Sequence, residues 1–145
     1  MKGALLVGAL AMLGGPVLAT AEAQEMSRSA SAEGAQAYII SPQDGEVVSK
    51  TFKVKFGLTG MGVAPAGVDM KHTGHHHLLI DKDEMPALGQ PMGSDVIHFG
   101  GGQTETTVTL EPGEHTLQLI LGDKNHVPHE PVVMSKKITI TVKED

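Results

Sequence analysis

Three runs of this chain alternate between residues suited to a core and residues suited to water. Thr51 to Leu58 (TFKVKFGL) puts Phe52, Val54, Phe56 and Leu58 on one side and Lys53 and Lys55 on the other. His115 to Leu121 does the same with Leu117, Leu119 and Leu121 inward, and Lys136 to Lys143 with Ile138, Ile140 and Val142 inward and Thr139 and Thr141 outward. Successive side chains leave a pleated backbone on opposite sides, so a period of two marks a β-strand with one buried face. From Ala37 onward no stretch carries the 3.6-residue apolar period of a helix.

Shorter candidates fill the intervals: residues 37–41 (AYIIS), ended by Pro42; residues 75–81 (HHHLLID); residues 96–98; and residues 104–110, with Val108 and Leu110 on the apolar face. Asp44-Gly45 signals a turn. In Glu111-Pro112-Gly113-Glu114, proline presets φ at the first central position and glycine admits positive φ at the second. About seven short strands with turn signals between them predict an all-β fold, an immunoglobulin-like antiparallel β-sandwich over residues 37–145. Within that frame LEPGEHTLQL resembles the corner between the fifth and sixth strands of bacterial immunoglobulin-like domains, with His115 where a tyrosine commonly bonds back across the corner. SPQDGEVV resembles their first corner. His115 is accordingly assigned a structural role.

Residues 1–23 read as a signal peptide. Lys2 supplies a positive start and Ala4 to Leu13 an apolar run of about ten residues. That run is too short for a permanent anchor, which needs about 20. Small residues offer cleavage after Ala19 or, preferably, Ala23. The expectation is a periplasmic or secreted protein with no membrane anchor after signal removal. Residues 24–36 (QEMSRSASAEGAQ) are small, polar and aperiodic, and read as a flexible leader with no fold of their own.

Composition excludes more than it proposes. A net charge of −6 gives no electrostatic reason to bind nucleic acid or anionic lipid. The chain has no cysteine, which removes thiolate zinc sites, blue-copper sites and iron–sulfur clusters. Aromatic anchors for a protein-binding surface are few: Tyr38, Phe52, Phe56 and Phe99, with Arg28 the sole arginine.

Histidine is the residue in excess, eight in 145. His72, His75, His76 and His77 lie at the loop leading into residues 75–81, His98 follows the fourth strand, and His126 and His129 lie in the loop 122–133. In an immunoglobulin-type sandwich the loops after the second and sixth strands share one end of the body. Topology therefore gathers every histidine except His115 at one pole. Neutral imidazole is the commonest metal ligand near neutral pH. His75 and His77 are two apart and share a strand face, so they can grip one ion together. A third and fourth ligand would come from His98, His126 or His129, with His75, His77, His98 and His126 as the joint cluster. His129 and His72 complete the candidate set or are solvated loop residues, and nitrogen-rich sites of this kind suit copper, zinc or nickel. Met61 and Met70 would add thioether sulfur for Cu(I). Asp69, Asp81 and Asp123 are candidates to orient ring nitrogens. His76 shares parity with Leu78 and Ile80 and is expected inward and hydrogen-bonded. Gly100-Gly101-Gly102, beside His98, would let backbone or ligand approach closely.

The segments TGHHHLLID, HFGGGQTETTVTL and GEHTLQLILGDKNHVPHEP together resemble an uncharacterised bacterial family of periplasmic or secreted domains, over roughly Ser41 to Val142. The resemblance implies export, one β-rich domain, and the histidine segments as a family feature. It supplies no ligand set and no activity.

Three functions follow as expectations. The first is a module that binds copper or zinc for sequestration or delivery, with an envelope metal-handling or receptor protein as possible partner. The second is a metal-dependent enzyme. The His-x-His pair on a sandwich resembles copper–zinc superoxide dismutase in layout, but lacks that family's cysteine pair and long loops. A hydrolase would need an open coordination position and a base such as Glu130 or Asp123. The third is a metal-free ligand- or protein-binding module, since a sandwich alone decides no function.

Overall fold

The computed structural model describes residues 14–16 and 24–145, so the expected signal peptide lies almost wholly outside the described residues. Among the described residues nine strands follow in order: β1 (Gln36–Ser41), β2 (Val47–Val48), β3 (Thr51–Thr59), β4 (Gly62–Val63), β5 (Thr73–Ile80), β6 (Ile97–His98), β7 (Glu105–Thr109), β8 (Gly113–Gly122) and β9 (Ile138–Val142). No helix among the described residues is long and apolar enough to cross a membrane.

Two sheets form the sandwich. One is three-stranded, in the order β1-β3-β7; the other runs β2-β9-β8-β5-β4, with β6 also paired to β5. Most pairs are antiparallel, and β2–β9 and β4–β5 are short parallel pairs. The alternating runs supply the filling. Val54 and Phe56 of the first sheet meet Leu78, Leu117, Leu119, Leu121 and Ile140 of the second, all of them buried. Each such side chain contributes about 1.5–3 kcal/mol of burial. His115 holds its corner as expected: one ring nitrogen bonds the Asp81 carboxylate at 2.6 Å and the other the Glu111 carbonyl at 2.8 Å.

β6, the fourth of the seven strands expected from the sequence, departs from a simple constant-type sandwich, where it would join the sheet of the first, second and fifth of those strands. Here β6 pairs β5, with His98 opposite His77 and Ile97 opposite Leu78. The cause lies in the preceding loop. Val96 packs with Leu79 and Ile120 on the outer face of the larger sheet, and Met92 and Val132 close this small second core. The loop therefore delivers β6 to the free edge of β5. The ladder continues past it, where the Phe99 amide donates to the His76 carbonyl at 3.1 Å.

The polar segment before β1 draws its hydrogen bonds from the body of the domain. Arg28 bonds the Pro128 and His129 carbonyls and pairs with Glu130. Ser29 Oγ donates to Asp123 Oδ2 at 2.8 Å, and the Met26 amide donates to the Gly89 carbonyl at 2.7 Å.

Candidate metal centre

Cross-strand register builds the site on the outer face of the six-stranded sheet. On β5, His76, Leu78 and Ile80 face the sandwich interior, beside Leu121, Leu119 and Leu117 of β8. His75 and His77 therefore face outward, beside Gly122 and Ile120. His98, opposite His77 on β6, brings a third imidazole to the same face. The fourth comes from the loop after β8, where His126 adopts a left-handed conformation (φ 65°). This conformation is uncommon outside glycine but enriched for histidine. Asp123 enforces it: its Oδ1 accepts the amides of Asn125 (2.9 Å) and Val127 (3.1 Å), and its main-chain carbonyl accepts the amide of His126 (2.9 Å).

His75, His77, His98 and His126 each offer one ring nitrogen such that all four lie within 4.8 Å of one another. Ring centroids are 4.7 Å apart for His75–His77, 5.2 Å for His77–His98 and 4.5 Å for His98–His126. His75 Nε2 lies 3.0 Å from His126 Nδ1. On a single zinc or copper ion, with bonds of about 2.0–2.1 Å, nitrogens stand roughly 3.4–4 Å apart. Shifts of about 1 Å thus bring the set onto one ion.

Two glycines make room for the rings. A Cβ on Gly122 would lie 2.5 Å from His77 Cε1, and a Cβ on Gly100 would lie 2.3 Å from His98 Cε1. Gly100 thus makes room for the ring of the histidine two residues before it.

Three of the four rings are biased toward the neutral form. Burial, then the neighbouring imidazoles of His126 and His98, lower the His75 pKa to about 4. Burial, then His75 and His98, lower that of His77 to about 3. Burial and His126 also lower His98. His75 Nδ1 and both ring nitrogens of His77 are buried with no hydrogen-bond partner in the protein. Leaving a buried polar atom unpaired costs about 1–3 kcal/mol. Neutral imidazoles are the state in which a divalent cation finds its ligands deprotonated. The four histidines can hold a metal ion.

The remaining candidates lie elsewhere. His129 is buried, with Nε2 on the Thr73 carbonyl at 3.1 Å, and is outside the group of four. His72 sits at the entry to β5 with φ 56° and lines a cavity with His129, away from the cluster. His76 points inward as expected, against the Phe56 ring at 5.3 Å, yet neither of its ring nitrogens has a partner. The expected hydrogen bond is therefore missing, because the interior around it is apolar. No aspartate hydrogen-bonds a ring of the cluster. Asp81 serves His115, Asp69 pairs with Lys124, and Asp123 holds the loop. Burial alone would push the Asp123 carboxyl up, but its bonds from Ser29, Asn125 and Val127 outweigh this and leave it lowered. Glu130, a candidate base, is paired with Arg28. Met70 is 65% exposed, and Met61 packs on the main core. Met92, which no spacing singled out, borders the cluster instead, in an open cavity lined also by His98 and His126.

No curated protein and no solved structure matches the chain. All four imidazoles fall within the stretch that a family description does match. Over residues 54–143 the chain fits the family described as a domain of unknown function, DUF4399, and it belongs to that family.

Proposed function

We propose that this protein is an exported module that binds a transition metal, copper or zinc, and sequesters or delivers it in the cell envelope. One observation carries the proposal: four imidazoles from β5, β6 and the loop after β8 offer nitrogens within 4.8 Å of one another. Export rests on the signal-like composition of residues 1–23. Copper and zinc fit a cysteine-free, all-nitrogen donor set. Delivery, rather than permanent storage, is supported by the half-open placement of His98 and His126 beside two buried ligands. It implies a receiving partner that also handles metal.

The test is metal analysis of untagged protein after incubation with copper or zinc and desalting. Wild type is expected to retain about one ion per chain, and His75→Ala/His77→Ala close to none. Equal, negligible metal in both proteins would remove the proposal.

A further inference from the structure

We propose that Met92 is a sulfur donor at the histidine cluster, and that its thioether, together with imidazoles of the cluster, makes the site a copper site able to hold Cu(I). The inference rests on the metal-binding function proposed above and names the ion.

Three observations place Met92 at the cluster. Its methyl carbon and the His77 ring crowd the same empty spot over Gly122, where a Cβ would lie 2.9 Å from Met92 Cε and 3.1 Å from His77 Nδ1. Its amide donates to the carbonyl of His126 at 2.9 Å, which ties its backbone to that of the loop ligand. Its side chain shares with His98 and His126 the lining of an open cavity of about 290 Å³. Met92 thus adjoins three of the four imidazoles. It also packs at the rim of the Leu79–Val96–Ile120 core, so its position is fixed from behind.

The donor chemistry separates the ions. Imidazole suits zinc and copper alike, whereas a soft thioether favours Cu(I). The chain has no cysteine, so any protein sulfur on a bound ion comes from methionine. Met61 and Met70 are placed elsewhere, one on the main core and the other 65% exposed.

Met92→Leu keeps volume and apolar character, a swap that cores tolerate well. Untagged wild type and Met92→Leu are compared in two titrations, Cu(I) against a chromophoric chelator under reducing conditions and Zn(II) against a fluorescent one. X-ray absorption is recorded on the Cu(I) forms. The expected result is Cu(I) affinity reduced about ten-fold or more, Zn(II) affinity within about two-fold, and a sulfur shell present in wild type and absent in the variant. Unchanged Cu(I) affinity, or a sulfur shell that survives the substitution, overturns the assignment. Equal weakening of both ions overturns it too, since it marks Met92 as mere packing. Wild type that binds neither ion defeats the histidine site itself, whereas binding of both with no effect of the variant defeats only the role of Met92.

Discussion

Gly122 is the residue whose replacement should separate the site from the fold. It lies at the end of β8 opposite His75, and a methyl there would overlap the His77 ring at 2.5 Å and press on Met92. Its neighbours on the inner face are untouched. Gly122→Ala is expected to cost about 1–3 kcal/mol by overpacking. It should also weaken metal binding by about ten-fold or more, because both displaced groups border the ion's position. Denaturant unfolding and a metal titration on the same preparation check the two effects. Protons should compete with the metal only at low pH. A free imidazole is half protonated at about 6.5, whereas His75 and His77 are held near 4 and 3. Bound metal is therefore expected to survive dialysis at pH 5.5 and to leave as pH falls toward 4, followed by metal content against pH. Part of this was legible in the sequence: the His-x-His spacing fixes a shared face wherever it lies on a strand. The grouping of His75 and His77 with His98 and His126 was legible too, whereas the place of His129 was not, since both loop histidines sit in one turn-rich segment and only the fold sets His129 Nε2 on the Thr73 carbonyl. Met92 was hidden for a similar reason. Its place depends on where a 15-residue-scale loop folds back, on which a spacing rule is silent.

At the level of strands and loops, the four candidate ligands have unequal support. His75, His77 and His98 stand on a hydrogen-bonded ladder, and His126 on a loop held by one carboxylate. Asp123 binds two amides of that loop and the hydroxyl of Ser29, so its loss frees several donors together. Asp123→Ala is expected to destabilise the protein by on the order of 2 kcal/mol. It should weaken metal binding further than that change alone, through disorder of His126. Ser29→Ala, which removes only the outer bond, should show a smaller effect in the same direction in both measurements. The longer strands were readable from alternation because each buries one face. The two-residue strands β2 and β4 were not, because they exist through their partners β9 and β5 and carry no pattern of their own. The sheet to which β6 belongs was equally unreadable, since packing of Val96 on Leu79 and Ile120 decides it.

For the molecule as a whole, metal and proton act on the same folding equilibrium. An ion bound only by the folded chain stabilises it by about 2.7 kcal/mol at a hundred-fold excess over Kd. A rise in Tm with copper or zinc is expected in wild type and not in His75→Ala/His77→Ala, measured by calorimetry. The metal-free protein should show the opposite sensitivity to acid. The folded pKa of His75, His76 and His77 lies below the ordinary 6.5, so the unfolded chain binds more protons as pH drops through that value. Stability is then complete above about 6.5 and declines progressively toward pH 4. Denaturation curves at pH 7.5, 6 and 5, with and without metal, check both signs. The separation of the two cores has a bearing on how cargo would change hands. His75 and His77 are buried on the ladder, whereas His98 is exposed on a two-residue edge strand and His126 is half-buried on a turn. Were a bound ion passed on as proposed, the two outer imidazoles would be the first within a recipient's reach and the buried pair would hold the ion last.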